Sequence, residues 1–199
     1  MSADLEKLKG RTPRVMLQES CRRSAVIIPL IKKTDGTEVL FEVRSPRIGR
    51  QPGDICFPGG AMQEGEKPVE TAVREACEEL LIKPEQLEII GPSDMFHNES
   101  LLVCPFAAWL SGYEGSFSKD EVSEVFTVPL QHFIDNEPFM CRSRMVRERD
   151  EDFPYELIAG GKDYKWPPRI DDELFYRLGN HTLWGITARI LNGFIELIR

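Results

Sequence analysis

Two hydrophobic rhythms alternate along this chain. Ser24 to Ile31, SAVIIPLI, is an almost unbroken apolar run of strand length, which predicts a buried strand. KKTDGTE follows, and its Asp35-Gly36 pair is a hairpin turn signal. VLFEVRS (Val39 to Ser45) is the returning strand, and a loop rich in Gly, Pro and Arg then leads into a short strand at ICF. From Pro68 the period changes. Val69, Ala72, Val73, Ala76 and Leu80 recur at helical spacing and predict one apolar face. Pro68 suits a first helical turn and Pro84 marks a stop.

LEIIGPSDMF and LLVCPFAAWL predict strands joined by HNES, EVFTVPL another strand, and LQHFID a short helix. Residues 136–180 mix a basic run from Arg142 to Arg149, a candidate strand at YELIA, a Gly-Gly turn and the Pro-rich KWPPRIDD. TLWGITARILNGFIELIR closes the chain as an amphipathic helix, with Trp184 and Gly185 expected to pack it onto the sheet. Residues 1–23 form a polar arm, helical over ADLEKLK, ahead of one domain at 24–199. Strands outnumber helices and interleave with them, so the fold class is α+β, built in layers.

The 199 residues carry a formal net charge of −8 and a pI near 5.1. That balance argues against a duplex nucleic-acid binder, which needs a basic face, and against a role on an anionic membrane surface. A phosphorylated small molecule is still compatible if a metal ion screens its charge. The five cysteines are odd in number and form no CxxC. Reduced thiols and a cytoplasmic setting are expected. The charged start has no apolar stretch of a secretory signal, and no apolar run approaches the roughly 18 residues of a membrane span.

The predicted helix holds most of the chemistry. Glu75, Glu78 and Glu79 are spaced i, i+3 and i+4 and fall within a roughly 100° arc, read here as opposite the apolar face. Their mutual repulsion costs about a few tenths of a kcal/mol per pair. A hard divalent cation reverses that sign, since it takes oxygen ligands. Arg74 adjoins the cluster, Glu66 lies nine residues ahead of Glu75, and Gly59 and Gly60 give the backbone freedom for a close approach. His97, His132 and His181 are isolated and read as structural.

Gly60, Glu66, Arg74, Glu75, Ala76, Glu78, Glu79 and Ile82 match the Nudix box, G-x5-E-x7-R-E-U-x-E-E-x-G-U, at every defined position except Leu81, where the box has Gly. The chain therefore resembles the Nudix hydrolase superfamily. The resemblance implies an α/β/α sandwich with a mixed β-sheet and a catalytic loop-helix. It also implies Mg²⁺- or Mn²⁺-dependent hydrolysis of a diphosphate linked to another moiety. Carried over by position, Glu75, Glu78 and Glu79 would be metal ligands, with Gly59 as a further one through its carbonyl. Arg74 would hold a carboxylate in place and Glu66 would support the loop-helix. Nudix enzymes differ in the site of the general base. Glu121 is the candidate late carboxylate here and Glu124 the second choice.

Upstream, LFEVRSPRIGRQPGDICFPGG is similar to the signature of the coenzyme A pyrophosphatase subgroup, L-L-T-x-R-[SA]-x3-R-x3-G-x3-F-P-G-G. Leu40, Arg44, Ser45, Gly53, Phe57, Pro58, Gly59 and Gly60 match. Phe41 and Glu42 depart from it, and Gly49 stands where the second Arg belongs, with Arg50 next. DEVSEVFTVPL and WGITARIL also resemble this subgroup. The resemblance points to Arg44, Ser45, Arg50, Gly53, Phe57 and Gly60 as substrate-binding residues, with Arg47 nearby, and to coenzyme A or its thioesters as substrate. A nucleoside diphosphate derivative such as ADP-ribose or a nucleotide sugar is the alternative. A third reading is a silent Nudix domain that only binds a nucleotide. The sequence leaves a homodimer open.

Overall fold

A computed structural model of the chain describes residues 21–146 and 148–199. The expected helix over ADLEKLK lies outside the described residues. The elements run β1 (Arg22–Lys33), β2 (Gly36–Arg44), β3 (Ile55–Cys56), β4 (Gly59–Ala61), α1 (Pro68–Leu80), β5 (Leu87–Pro92), β6 (Phe96–His97), β7 (Leu101–Leu110), β8 (Val122–Pro129), α2 (Leu130–Asp135), β9 (Phe139–Met145), β10 (Arg169–Leu178), β11 (His181–Trp184) and α3 (Gly185–Ile198). β1 begins at Arg22, inside the segment read as an arm.

β1 organises the main sheet. It pairs antiparallel with β2 through the predicted hairpin, antiparallel with β4, and parallel with β7 over Arg22–Leu30. The order is β3-β2-β1-β7-β5, with β8 also on β2 and β6 on β7. This is a mixed sheet. Period-two alternation splits its side chains between two cores. Ala25, Ile27 and Leu40 face α1, where they meet Ala72, Ala76 and Leu80. Ile28, Leu30, Val39 and Phe41 face the other way, onto Phe133 of α2 and Ala188, Leu191 and Phe194 of α3. Helices thus cover both faces, giving the α/β/α sandwich.

A second antiparallel sheet, β11-β10-β9, joins the α3 side through Tyr176 and Leu183. It is built from the stretch where the local pattern was mixed. Its edge strand β9 takes up the first part of the basic run. The strand expected at YELIA is instead a 3₁₀ turn over Tyr155–Leu157. Pro154 precedes it and Gly160-Gly161 follow, both with positive φ, so the segment is too short and too bent to pair in a sheet.

α1 ends in one unusual residue. Leu81 caps it with φ 52° and ψ 45°, the left-handed conformation typical of glycine at this place. The helix terminus is preserved despite the side chain.

Candidate active site

Gly59 enters the site because nothing larger fits, and Gly60 lies against a carboxylate tip. A Cβ on Gly59 would lie 2.3 Å from the Ala25 carbonyl oxygen, and φ there is +152°. A Cβ on Gly60 would lie 2.3 Å from Oε2 of Glu75. The backbone of β4 therefore runs directly against the carboxylates of α1. The Gly59 amide donates to Oε2 of Glu79 at 2.7 Å.

Glu79 corrects the sequence-based picture of the helix. The expectation is a position opposite the apolar face, yet Glu79 is only 5% exposed and sits with Ala72, Ala76 and Leu80 on the sheet side. The reason is geometric: Glu79 is seven residues from Ala72 and three from Ala76, which puts it on their stripe. Glu75 is half-buried and Glu78 exposed.

Arg74 ties the outer carboxylates together. Its Nε and Nη2 donate to the two oxygens of Glu66 at 2.9 and 3.1 Å, and its Nη1 to Glu75 at 2.7 Å and Glu78 at 3.4 Å. Glu66 also accepts from Thr71 Oγ1 at 2.7 Å and the Gln63 amide at 3.1 Å. The Arg74 guanidinium, helped by Thr71, holds the Glu66 carboxyl down to about 2. Its carboxylate partners hold the Arg74 guanidinium firmly in its charged form.

On the inner side of the helix, Glu42 of β2 is an electrostatic neighbour of Glu79. Glu42 is 1% exposed; its Oε1 accepts from the Cys56 thiol at 3.3 Å, and its Oε2 has no partner. Burial pushes both carboxyls well above the usual range; the Glu42 charge raises Glu79 further and the Glu121 charge adds to both, while the Cys56 thiol and Glu79 partly relieve Glu42. Burial likewise pushes the Cys56 thiol up. The loop before β8 brings Glu121 here: Ser118 donates its amide to the Glu79 carbonyl, and the Ser45 amide donates to the Glu121 carbonyl. Glu124 is placed elsewhere, in contact with His181 at 3.2 Å, whose ring stacks on Phe126.

These groups suit a hard divalent cation. All are oxygen donors, Arg74 offsets only part of their charge, and one fully buried carboxylate oxygen lacks a partner. Among the described residues no three His, Cys, Asp or Glu side chains already converge on one point. Arg74 draws Glu75 and Glu78 outward while the Gly59 amide holds Glu79 inward.

A cavity of about 470 Å³ opens beside this cluster. Arg44, Arg50, Phe57, Gly59 and Gly60 line one side. Of the other residues expected at the substrate, Ser45 is buried in its turn, where its Oγ accepts from the Arg47 amide, and Gly53 shapes the same loop at φ +79°. Neither lines the cavity. Arg47 turns to Asp120 at 3.5 Å on the surface. Of the basic run, Arg142, Arg144 and Arg149 do not line the cavity, and Arg142 pairs with Asp172 at 3.1 Å.

The far wall was not legible in the local pattern. It comprises Glu173, Trp184 and Arg189, brought in by β10, β11 and α3, with Arg22 at the start of β1 and Asn98 after β6. Trp184, expected to pack the last helix, is 47% exposed and stacks on Phe175; α3 docks through Ala188, Leu191, Phe194 and Ile195 instead. Glu42 could have been found earlier. It shares the parity of Leu40 on β2 and is a charge in an apolar strand.

A sequence profile described as "NUDIX domain" matches residues 22–147. With the box helix, the glycine corner and the layered mixed sheet, this establishes the class: the chain belongs to the Nudix family. It is a Nudix hydrolase, a class acting on small-molecule diphosphates and generally using divalent ions such as Mg²⁺ or Mn²⁺. The peroxisomal coenzyme A diphosphatase NUDT7 of Mus musculus is 33% identical over 142 residues, covering 67% of this chain but only 57% of that protein. Nudix hydrolase 3 of Caenorhabditis elegans is 34% identical over 197 residues, covering 95% and 79%. The human mitochondrial coenzyme A diphosphatase NUDT8 is 27% identical over 199 residues, covering 96% and 75%. The crystal structure of a MutT/nudix family protein from Enterococcus faecalis shares the fold at a TM-score of 0.53 and 17% identity, over 98% of this chain and 70% of that one. Among the described residues, no helix is long and apolar enough to cross a membrane.

Proposed function

We propose that this Nudix hydrolase cleaves the diphosphate bond of coenzyme A or its thioesters, giving 3′,5′-ADP and (acyl-)4′-phosphopantetheine. The observation that carries this reading is the cavity that joins the box corner, Gly59-Gly60, to Arg44 and Arg50 of the upstream signature. Arginine forks bind phosphate oxygens in bidentate fashion. Arg50 supports the idea that it replaces the arginine missing at Gly49, since it lines the cavity while its carbonyl accepts from Arg44 Nε at 3.3 Å. The relatives named coenzyme A diphosphatases support the same substrate.

Glu75, Glu78 and Glu79, with the Gly59 carbonyl, would hold the Mg²⁺ or Mn²⁺. A bound ion would supply Lewis-acid chemistry there, lowering the pKa of a water and offsetting negative charge on the diphosphate. The chain's own residues do the rest. Arg74 and Glu66 would fix the helix carboxylates, Arg44 and Arg50 would orient the anionic substrate, and Glu121, on the loop tied to α1 by the Ser118 amide, would accept the proton of the attacking water. Five free cysteines support a reducing compartment such as the cytoplasm.

The test offers coenzyme A, an acyl-coenzyme A, ADP-ribose and a nucleotide sugar with Mg²⁺ or Mn²⁺ and follows products by chromatography. Coenzyme A or its thioesters should be turned over with the highest kcat/KM. A higher kcat/KM for ADP-ribose would overturn the reading. Glu79→Gln should abolish turnover with far-UV circular dichroism unchanged.

A further inference from the structure

Glu42 sits where a carboxylate is hard to accommodate. It occupies β2, two residues after Leu40 on the face turned toward α1, and it is almost fully buried. The coenzyme A signature that the neighbouring residues match has a neutral threonine there. One oxygen of Glu42 receives only the weak thiol donor of Cys56 at 3.3 Å, and the other has no partner. An unpaired buried carboxylate oxygen is strongly unfavourable. Glu79 is an acidic neighbour, itself 5% exposed and held by the Gly59 amide. Glu121 is a further acidic neighbour. Arg44 is the cation in range, but its Nε donates to the Arg50 carbonyl at 3.3 Å. Acidic groups of a strand, a helix and a loop thus gather at the inner side of α1, and a buried oxygen of one of them has no hydrogen-bond partner. A hard cation satisfies such an oxygen where a side chain does not.

We propose that Glu42 is an additional carboxylate of the divalent-cation site, supplying Oε2 from the strand side while Glu79 approaches from the helix. The inference rests on the ion in the reading above and is independent of which diphosphate is hydrolysed. A threonine at this position has a neutral hydroxyl and contributes no charge, so Glu42 gives this chain tighter cation binding than the signature residue would.

The experiment titrates Mn²⁺ into wild type, Glu42→Gln and Glu42→Thr without substrate, following free Mn²⁺ by electron paramagnetic resonance. Both variants should bind about tenfold or more weakly, and the rise in Tm on adding Mn²⁺ should shrink in each. Unchanged affinity in either folded variant overturns the proposal, as does a wild type that binds no Mn²⁺. Should both variants misfold, wild-type crystals with Mn²⁺ decide. An anomalous peak within coordination distance of Glu42 Oε2 supports the assignment, and a peak confined to Glu75 and Glu78 rejects it. A protein that binds Mn²⁺ through Glu42 yet ignores coenzyme A defeats the substrate reading alone.

Discussion

Single residues carry much of what distinguishes this site, and Leu81 is the plainest case. Its left-handed backbone costs a residue with a Cβ about 1–2 kcal/mol. Its side chain is 60% exposed, so little burial offsets that strain. Glycine relieves the strain but adds freedom to the unfolded chain. Leu81→Gly should therefore stabilise the protein by about 0.5–1 kcal/mol net, read as a rise in Tm of a few degrees in thermal unfolding. A fall in Tm would show that the Leu81 side chain holds a contact worth more than the strain. Glu66 works in the opposite sense. It is a residue whose electrostatics and geometry agree, because the same Arg74 fork that aligns it keeps it ionised.

At the scale of elements, the box is a corner where β4 meets α1, and glycine sets the separation. Gly59→Ala places a Cβ against the Ala25 carbonyl and the Val26 backbone, none of which is a flexible tip. The positive φ adds strain. A loss of about 3 kcal/mol or more is expected, measured by urea denaturation, with cation affinity falling as well because the Gly59 amide positions Glu79. A loss below about 1 kcal/mol would mean that β4 can slide along β1 without consequence. Much at this scale was legible. The hairpin at Asp35-Gly36, α1 between its two prolines and α2 after β8 all follow from local turn chemistry and period. The burial of Glu79 is also legible in its spacing to Ala72 and Ala76, although the arc it shares with Glu75 and Glu78 points outward. The 3₁₀ turn at Tyr155–Leu157 and the exposed Trp184 were not legible, since their positions depend on partners distant in sequence.

For the molecule as a whole, the question is whether residues beyond 147, where the family profile ends, form an appendage or part of the same body. The packing favours the second. Leu191 is fully buried in a cluster that also contains Ile28, Val39 and Phe41 of the main sheet and Tyr176 and Leu183 of the second. The cavity crosses the same boundary, with Arg44 and Gly60 on one wall and Trp184 and Arg189 on the other. No local pattern announces this, because each wall is polar or ambiguous until the other faces it. One shared core implies one cooperative transition. Leu191→Ala deletes buried methyl groups at the centre of that core and should cost about 2–5 kcal/mol. In urea, tryptophan fluorescence and far-UV circular dichroism should shift together, since Trp109 reports on the main sheet and Trp166 and Trp184 on the later segment. Two separated transitions, with only the fluorescence moved by the substitution, would instead make the C-terminal region a unit of its own and the cavity a seam between two bodies.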